Sequence, residues 1–355
     1  MSEDQKKCDD IEPGQSYEFD LFRPEDAEGV ARLFRTVYGD GYPIKTFIEP
    51  KLLIEENAAG RTISSVARTP KGDIVGHGAL FHSAPYERVC ESGAGLVHPC
   101  YRGGKGIYTG LGIHGMEVTA KRFKIELIFG EPVCNYIFAQ KGTAKAGWIT
   151  HAIEVDLMPA EAYDKEKSAS GRVTALLDFK TLKPKPHTVY LPAIYEESMR
   201  FIYSGLDDGR DLVLSRDELA SPMKTEIKTQ IFDFAQVARL VVHEAGTDFE
   251  GVLEREERSV LEKGVVVLQV WLKLSWPWIG HAVDILRKRG YFLGGILPRW
   301  FDVDGMLMQK IIGRPNWEGI QLFFDRAKKI LEIIKADWQK INRSPFPLGH
   351  EGKQN

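Results

Sequence analysis

Residues 96–111 read Leu-Val-His-Pro-Cys-Tyr-Arg-Gly-Gly-Lys-Gly-Ile-Tyr-Thr-Gly-Leu. An apolar stretch stops at His98-Pro99, and a loop that contains three glycines and two cations follows it. Beyond the loop an amphipathic run extends from Ile107 to Lys121 with the spacing of a helix. The segment therefore predicts a strand, a glycine loop and a helix.

The glycine loop has the composition of an anion-binding site. Gly103, Gly104 and Gly106 can adopt positive φ and carry no Cβ, so their backbone N–H groups can approach a ligand closely. These N–H groups lie where the helix begins, and the helix dipole favours negative charge there. Arg102 and Lys105 add positive charge to the same loop. The loop predicts a cradle for phosphate or pyrophosphate, with a glycine-rich surface turn as the alternative.

The loop lacks the spacing of a nucleotide P-loop and of a dinucleotide-binding fingerprint. It resembles the coenzyme A loop of the GNAT acyltransferase superfamily, in which a strand ends in Val-x-Pro and Arg/Gln-x-x-Gly-x-Gly/Ala wraps the pyrophosphate. Val97-His98-Pro99 and the segment from Gly106 to Leu111 fit this pattern. The residue three places before Gly106 is Gly103, Arg102 lies one place further back, and Tyr108 replaces the second glycine.

The resemblance implies acetyl-CoA as co-substrate and no metal. In such enzymes the strands separate before the loop, and a backbone N–H there, here around Val97, polarises the thioester carbonyl. The segment Asn135-Tyr136-Ile137-Phe138-Ala139-Gln140-Lys141 also resembles a GNAT segment whose first residue binds the pantetheine arm. The cofactor-binding residues that the resemblance implies are Leu96, Val97, Arg102, Gly103, Gly104, Lys105, Gly106, Ile107, Tyr108 and Asn135.

The order of the predicted elements agrees with the GNAT order over about residues 16–182. Apolar residues alternate in the strands, recur at helical spacing in the helices, and are separated by turn residues. The pattern predicts a strand at 17–22, helices at 25–38 and 49–58, strands at 61–68, 73–82 and 88–97, a helix at 106–121, a strand at 125–129, a helix at 133–146, and strands at 148–158 and 171–180.

Lys183-Pro184-Lys185-Pro186 is a stiff, extended segment and the expected domain boundary. Beyond it, a helix, a Gly-aromatic pair and two strands follow around Gly290-Tyr291-Phe292, as they do around Ala146-Gly147-Trp148. This similarity predicts a degenerate GNAT-like repeat, whose equivalent loop at 246–251 contains acids and is expected to bind no coenzyme. The long helices and strands predicted there are helices at 195–206, 248–263, 278–289 and 317–340, and strands at 225–234, 236–243, 265–274, 291–297 and 305–311.

The fold class predicted is α/β (α+β): a GNAT-type mixed, mostly antiparallel sheet flanked by helices, followed by a second, smaller GNAT-like α/β domain. The expected divisions of the chain are a disordered tail at 1–15, a catalytic domain at 16–182, a linker at 183–188, a C-terminal domain at 189–345 and a tail at 346–355.

Acyl transfer to an amine needs a general base, and a carboxylate near the strand before the loop often supplies it. Glu91 lies six residues before Val97, and Glu131 follows the next strand. A solvated glutamate is the alternative for Glu91, and a helix N-terminal carboxylate is the alternative for Glu131. These two carboxylates are the candidate bases.

Many GNAT enzymes use a tyrosine four residues before a Gly-Phe pair as the general acid. The corresponding position here is Thr143, whose hydroxyl is a poor acid, so the sequence departs from the family pattern. Tyr136 on the same predicted helix is the candidate substitute, with an ordinary packing role as the alternative. Cys134, near the expected helix start, would allow a covalent route.

The composition bears on the partners, the location and the metal binding that we expect. A net charge of −3 and a pI near 6.3 give no reason to expect nucleic acid or an anionic membrane as a partner. The polar, acidic N-terminus resembles neither a signal nor a transit peptide, so a cytoplasmic location is expected. The four cysteines lack zinc or disulfide spacing and are expected to be free thiols, and the histidines form no metal-binding pattern.

The sequence as a whole predicts an N-acetyltransferase that moves acetyl from acetyl-CoA to a primary amine, with a small-molecule acceptor preferred. A non-catalytic acyl-CoA-binding sensor is the alternative, and another phosphoryl-ligand binder on a different α/β fold is the third. Tryptophans in the second half are expected in the core, although they can also line an acceptor pocket or a homodimer interface. They are Trp271, Trp276, Trp278 and Trp300.

Overall fold

The structure, a computed structural model, describes residues 11–40, 42, 44–104, 106–163, 168–206, 209–216 and 223–342. The chain divides into two compact units. The first unit comprises Met1–Glu131 and Phe179–Pro184, and the second comprises Pro132–Asp178 and Lys185–Asn355.

The first unit contains a sheet of five strands in the order β1-β2-β3-β4-β5. The pairs β1–β2, β2–β3 and β3–β4 are antiparallel, whereas β4 and β5 are parallel. Its elements are β1 (Glu18–Leu21), α1 (Ala27–Tyr38), α2 (Pro50–Ala58), β2 (Thr62–Arg68), β3 (Ile74–Phe81), β4 (Val89–Val97), α3 (Ile107–His114, continued by Gly115–Thr119 and Ala120–Arg122) and β5 (Leu127–Gly130).

Apolar side chains at helical spacing hold α1 on the sheet. Val30, Leu33 and Phe34 are buried with Phe47 and Leu53 in one hydrophobic cluster, as the amphipathic pattern predicts. On the other side of the unit, a second cluster joins the start of α3 to the strands. Along the chain, α3 connects β4 to β5, and these two strands pair in parallel. This is the βαβ arrangement that the strand-loop-helix segment predicts.

The predicted disordered tail is shorter than expected. Ile11 is buried in the cluster beneath α3, and the hydroxyl of Tyr101 donates to the carbonyl of Glu12 at 2.7 Å. The prediction was therefore wrong for residues 11–15, because one apolar residue has a place in the core. Residues 1–10 of that tail lie outside the described residues, as do residues 346–355 of the predicted C-terminal tail.

The second unit contains seven strands of one sheet in the order β7-β6-β13-β14-β12-β11-β10, and a separate parallel pair, β8–β9. The pair β11–β12 is parallel, and β10–β11, β12–β14, β13–β14 and β6–β13 are antiparallel. Its elements are α4 (Phe138–Lys145), β6 (Ile149–Met158), β7 (Val173–Thr181, whose last residues belong to the first unit), β8 (Thr188–Leu191), α5 (Glu196–Tyr203), β9 (Asp211–Leu214), β10 (Glu226–Phe232), β11 (Val237–Glu244), α6 (Phe249–Leu261), β12 (Val267–Lys273), α7 (Ile279–Lys288), β13 (Phe292–Leu297), β14 (Gly305–Ile311) and α8 (Asp325–Asn342).

The mixed α/β fold class is confirmed, and most predicted elements occur within a few residues of their expected ends. The order from β10 to β14 repeats the order from β3 to β7: two strands, helix, strand, helix, two strands. The parallel β11–β12 pair corresponds in that order to the parallel β4–β5 pair. This correspondence supports the predicted repeat.

The two compact units divide the chain differently from the predicted domains at 16–182 and 189–345. The helix α4, the strand β6 and most of β7 lie in the second unit, which is therefore the larger one. Thr188, at the end of the predicted linker, already belongs to β8. The predicted domains remain a hypothesis about modules of the sequence.

Two predicted helices begin later than expected. Residues 133–137 are not helical, because Cys134 donates its N–H to Thr174 and Val133 bridges Ala175. The predicted helix at 317–340 begins only at Asp325. Trp317–Gly319 form a separate 3-10 turn, and the N–H groups of Gln321 and Phe323 donate to the Cys134 carbonyl and the Gln140 side chain. The strands β8 and β9 were not predicted. Such long-range hydrogen bonds leave no local pattern in the sequence.

Candidate functional site

The strands β4 and β5 are paired only over the first third of β4. Their pairing comprises Val89–Leu127, Cys90–Ile128 and Glu91–Phe129, whereas β4 continues to Val97. The register of β4 against β3 shifts beside Ala94, which has φ +50°. A bulge of this kind bends a strand and redirects its backbone groups. The part of β4 that follows Glu91 therefore has an open edge where it has left β5.

Backbone N–H groups are directed towards this open edge. The N–H of His98 donates to the carbonyl of Val75 in β3 at 2.9 Å. Because N–H groups alternate between the two sides of a strand, the N–H of Val97 is directed away from β3. Leu96, by contrast, is a buried core residue opposite His77. The predicted role of Val97 as a backbone donor fits this orientation.

The loop after β4 adopts the conformation expected from its glycines. Gly103, Gly104 and Gly106 have φ of +87°, +93° and +73°, and a Cβ built on any of them meets no heavy atom within 4 Å. Gly106 is the N-cap of α3, and the buried side chain of Ile107 fixes the first turn on the sheet. The space above the three glycines is therefore open, so a ligand can approach their backbone.

Of the two cations of the loop, Arg102 is among the described residues. The Nε–H of Arg102 donates to the carbonyl of Val97 at 3.0 Å, which ties an exposed guanidinium to the end of β4. The guanidinium of Arg102 makes no further hydrogen bond or ion pair within the described part of the chain, so most of its donors remain available to an anion. Lys105 lies outside the described residues.

Tyr108 lies over the open segment of β4. Its side chain is 60% exposed, and a Cβ added to Gly95 would lie 3.0 Å from its ring. A glycine at position 95 therefore lets the ring approach the backbone of the open edge. Neither this contact nor the bulge at Ala94 was predicted from the sequence. The run Gly93-Ala94-Gly95 of small residues is the only sequence signal for them.

Glu91 lies at the point where the two strands separate. One of its carboxylate oxygens would be 3.7 Å from a Cβ added to Gly93, and the Phe81 ring would be 2.9 Å from the same position. The carboxylate is therefore directed along β4 towards the bulge, and it is half-buried. This geometry favours Glu91 as a base over the alternative of a fully solvated glutamate.

Glu131 is half-buried and directly follows β5 in the first unit. The alternative role proposed for it, a carboxylate at a helix N-terminus, is wrong because α4 begins only at Phe138. The end of β5 is adjacent to the opening between the parallel strands. Glu131 therefore remains a second candidate base.

The other predicted site residues belong to the second unit. Asn135 is buried and its Nδ2 donates to the Ser168 hydroxyl at 2.9 Å, whereas Tyr136 is 39% exposed. The Thr143 hydroxyl lies 2.6 Å from a carboxylate oxygen of Asp178 and 3.0 Å from the carbonyl of Gln140. Because this hydroxyl has one proton and two acceptors, it is poorly placed to act as an acid.

The covalent route through Cys134 is not supported. The predicted helix does not start beside this residue, and its thiol is buried. Burial and, to a smaller extent, the Asp178 carboxylate raise the pKa of Cys134, so the reactive thiolate is disfavoured.

Free thiols were predicted for all four cysteines. Cys90 and Cys134 are free, but Cys100 is disulfide-bonded, so the prediction was wrong for Cys100. Scattered spacing along the sequence gives no signal for such a bond, because disulfide geometry depends on which segments meet in space. Cys8 lies outside the described residues.

The loop of the second half that corresponds to the glycine loop makes its own contacts. The N–H of Gly246 donates to the Thr225 hydroxyl, and the N–H of Thr225 donates to the Asp248 carboxylate at 2.9 Å. An acid there repels a pyrophosphate. That this loop binds no coenzyme remains a prediction.

Neither a membrane-spanning helix nor a metal-binding cluster occurs among the described residues. No helix among them is both long enough and apolar enough to cross a bilayer. No group of three or more His, Cys, Asp or Glu side chains in the same part of the chain is arranged to hold a metal ion.

Comparison with known proteins gave matches to solved structures alone. No protein-family model matches the chain, and neither does any curated protein. The ribosomal-protein-S5-alanine acetyltransferase from Vibrio fischeri matches with a TM-score of 0.38 and 15% identity, over 48% of this chain and 95% of that one.

Two further structures match over a similar share of the chain. The structure of yncA from Salmonella typhimurium with its cofactor acetyl-CoA has a TM-score of 0.38 and 12% identity, over 48% of this chain and 96% of that one. A structure from Desulfovibrio desulfuricans, described as a GNAT-family acetyltransferase, has a TM-score of 0.37 and 16% identity, over 47% of this chain and 99% of that one. About half of this chain is thus similar to solved structures of acetyltransferases, one of which is described as a member of the GNAT family.

Proposed function

We propose that the protein is a GNAT-type N-acetyltransferase that moves acetyl from acetyl-CoA to a primary amine. One observation carries this proposal: β4 leaves its parallel partner β5 after Glu91, bulges at Ala94 and then runs into a loop of positive-φ glycines at the start of α3. The open edge offers backbone donors to an extended ligand, and the loop offers them to a pyrophosphate. A coenzyme A thioester contains both an extended arm and a pyrophosphate, so it matches both features.

The loop would bind the pyrophosphate. The N–H groups around Gly103, Gly104 and Gly106 have no side chain above them, and the dipole of α3 adds a favourable field. Arg102 is held beside the loop by its bond to Val97 and can use its other donors for the phosphates. Lys105 is expected to contribute a second cation.

The open edge of β4 would bind the pantetheine arm and the thioester carbonyl. The N–H of Val97 is directed away from β3, where a hydrogen bond to the thioester oxygen stabilises the oxyanion of the tetrahedral intermediate. Tyr108 would border this channel, because its ring lies over Gly95. Asn135 is the proposed further contact to the pantetheine arm.

Glu91 would act as the general base. It takes one proton from the ammonium form of the acceptor or from the amine during attack, directly or through water. The amine nitrogen forms a bond to the thioester carbon, the carbon–sulfur bond breaks, and the departing thiolate takes up a proton. Glu131 is the second candidate for the base, and Tyr136 is the proposed acid because Thr143 is bound to Asp178.

The test is release of coenzyme A thiol from acetyl-CoA in the presence of a panel of primary amines, including polyamines, amino acids and peptides with free N-termini. Thiol release that requires an amine supports the proposal, and Glu91→Gln should lower kcat by about 100-fold, since general bases contribute 10²–10⁴. Glu87→Gln is the matched control, because Glu87 is an exposed carboxylate four residues earlier.

A non-catalytic acyl-CoA sensor is the second candidate. The position of the usual acid holds Thr143, whose hydroxyl is already engaged with Asp178, and this observation favours a site that binds without reacting. Saturable acetyl-CoA binding with no thiol release for any amine would support the sensor and contradict the enzyme. A small-molecule acceptor, a cytoplasmic location and a homodimer remain predictions.

A further inference from the structure

A buried histidine reaches the bulge of β4 from the neighbouring strand. His77 in β3 has no exposed surface, and its ring Nδ1 lies 2.9 Å from the carbonyl oxygen of Ala94. Its Nε2 lies 3.0 Å from the hydroxyl oxygen of Ser64 in β2. Because a carbonyl oxygen only accepts, Nδ1 carries the proton, and in the neutral imidazole Nε2 then accepts from the Ser64 hydroxyl. The neutral ring therefore has one defined tautomer.

The hydrogen bonds continue beyond Ser64 to the helix α2. The Ser64 hydroxyl accepts from Nδ2 of Asn57 at 3.3 Å, while the N–H of Ser64 donates to Oδ1 of Asn57 at 2.8 Å. All side-chain donors then point in one direction, from Asn57 through Ser64 and His77 to Ala94. This relay connects α2, β2 and β3 to the bulge, and each member satisfies the next.

Aromatic rings hold the imidazole in place. The rings of Phe34 and Phe47 each contact His77 edge-on, with centroids 5.4 Å from that of the imidazole. Both phenylalanines are buried in the cluster that packs α1 and α2 on the sheet. Burial also lowers the pKa of His77 to about 4, so the ring stays neutral near neutral pH. The histidine is thus a fixed hydrogen-bond donor.

The bond to Ala94 determines where the next N–H group is directed. In a trans peptide the C=O of Ala94 and the N–H of Gly95 point in opposite directions, and the described chain contains no cis peptide bond. Because this carbonyl is directed to the His77 imidazole, the N–H of Gly95 is directed away from that ring. The histidine thereby fixes the peptide at the bulge, after which β4 presents the N–H of Val97 at its open edge.

We propose that His77 is a positioning residue that holds the peptide between Ala94 and Gly95, and with it the bulge of β4, so that the open edge of the strand presents the N–H of Val97 to the thioester oxygen. His77 acts through the backbone and contacts no substrate. The inference rests on the proposed acetyltransferase function. It adds the side chain that fixes the bulge before this donor.

The test compares three variants by steady-state kinetics with acetyl-CoA and the best amine of the panel. In His77→Leu the donor is absent, and we expect kcat to fall at least 10-fold while KM for acetyl-CoA changes less than 3-fold. In His77→Asn the side-chain amide N–H takes the place of Nδ1–H and can donate to Ala94. This variant should recover most of the kcat that the leucine variant lacks.

A fall in kcat with little change in KM distinguishes a positioning role of His77 from general damage to the fold. Equal losses in the leucine and asparagine variants, or a rise in KM with kcat unchanged, would overturn the proposal. Ser64→Ala removes the donor to Nε2 without changing the core volume greatly, so it tests the relay even if His77→Leu does not fold. We expect a 3- to 10-fold lower kcat for it, and an unchanged kcat would count against the relay.

Measurements on the wild-type protein distinguish failure of the proposed acetyltransferase function from failure of the proposed role of His77. If the wild type neither binds acetyl-CoA nor releases thiol, the proposed function fails, and the role of His77 fails with it. If the wild type is active and His77→Leu retains its kcat, only the positioning role is contradicted.

Discussion

Three glycines of the loop and Ala94 of β4 adopt positive φ, and their conformations shape the candidate site. The glycines were predicted from composition, because a residue without Cβ reaches this region at little cost. Ala94 could not be predicted, because an alanine with φ +50° depends on tertiary contacts such as its bond to His77. The sequence therefore indicates at which glycines a positive φ costs little. Tertiary packing determines which other residues, such as Ala94, adopt a positive φ.

Replacement of a loop glycine should separate backbone strain from ordinary glycine effects. Gly103→Ala places a Cβ on a residue with φ +87°, and we expect the free energy of unfolding to fall by about 1–2 kcal/mol. Gly112→Ala is the matched control, because Gly112 is helical and no atom lies within 4 Å of its added Cβ. That variant should gain roughly 0.5–1 kcal/mol in chemical denaturation. Equal effects in the two variants would contradict the loop conformation.

Asp156 in the second unit combines backbone strain with an unfavourable buried charge. Its φ is +57°, and burial is the main cause that raises the pKa of its carboxyl to about 6. A raised folded-state pKa gives stability that is present below the ordinary value of 3.8 and is lost as the pH rises through about 6. The ionised carboxylate therefore destabilises the fold at neutral pH.

Asp156→Asn should remove this cost. An asparagine tolerates positive φ and can still accept from the N–H of Asn316. We expect it to raise the free energy of unfolding at pH 7 by on the order of 2–3 kcal/mol, with the gain disappearing near pH 4. Denaturation curves at several pH values would measure this, and a gain that does not depend on pH would contradict the buried-charge explanation.

The helix α3 carries the loop, and its position on the sheet depends on a strand glycine. A Cβ on Gly76 would lie 2.5 Å from the Ile107 side chain and 3.1 Å from that of Leu111. Gly78, two residues further along β3, would place its Cβ at an ordinary 3.8 Å from Leu111. The start of α3 therefore lies on the sheet as closely as it does because position 76 has no side chain.

Gly76→Ala should displace the first turn of α3 and the loop with it. We expect a loss of about 1–3 kcal/mol in the free energy of unfolding, as is usual for overpacking, together with weaker binding of coenzyme A. Gly78→Ala should leave both quantities nearly unchanged. Denaturation and calorimetric titration of the two variants measure the difference. A normal coenzyme affinity in Gly76→Ala would show that the loop does not depend on this contact.

The sequence predicted the strands and helices of the first unit well because each has its own local pattern and turn residues. The misplaced helix starts have a different cause. The segment at 133–137 is bound to β7, and Gln321 donates to the carbonyl of Cys134 at 2.7 Å, so these backbones are fixed by distant partners. The bulge in β4 and the relay through His77 also depend on contacts between residues that are distant in the sequence. Local sequence patterns do not show which strands will meet, so neither feature could be predicted.

At the scale of the whole molecule, the order of elements occurs twice, but the two loops after the parallel strands differ. The first contains positive-φ glycines beside Arg102, whereas the second contains Asp248 bound to Thr225. The sequence predicted both the repeat and this chemical difference. It did not predict the division into two compact units, because α4 and β6 follow the glycine loop closely in the chain yet belong to the second unit.

Calorimetric titration of the purified protein with acetyl-CoA and with free coenzyme A tests the central claim most directly. Beside the wild type, Arg102→Ala removes the cation tied to the end of β4, and Arg122→Ala removes an exposed cation from the last turn of the same helix. We predict saturable binding by the wild type and by Arg122→Ala. Arg102→Ala should weaken binding by about 1.5–3 kcal/mol for each charge-assisted hydrogen bond that it removes. No binding by the intact protein at millimolar coenzyme A would contradict the account.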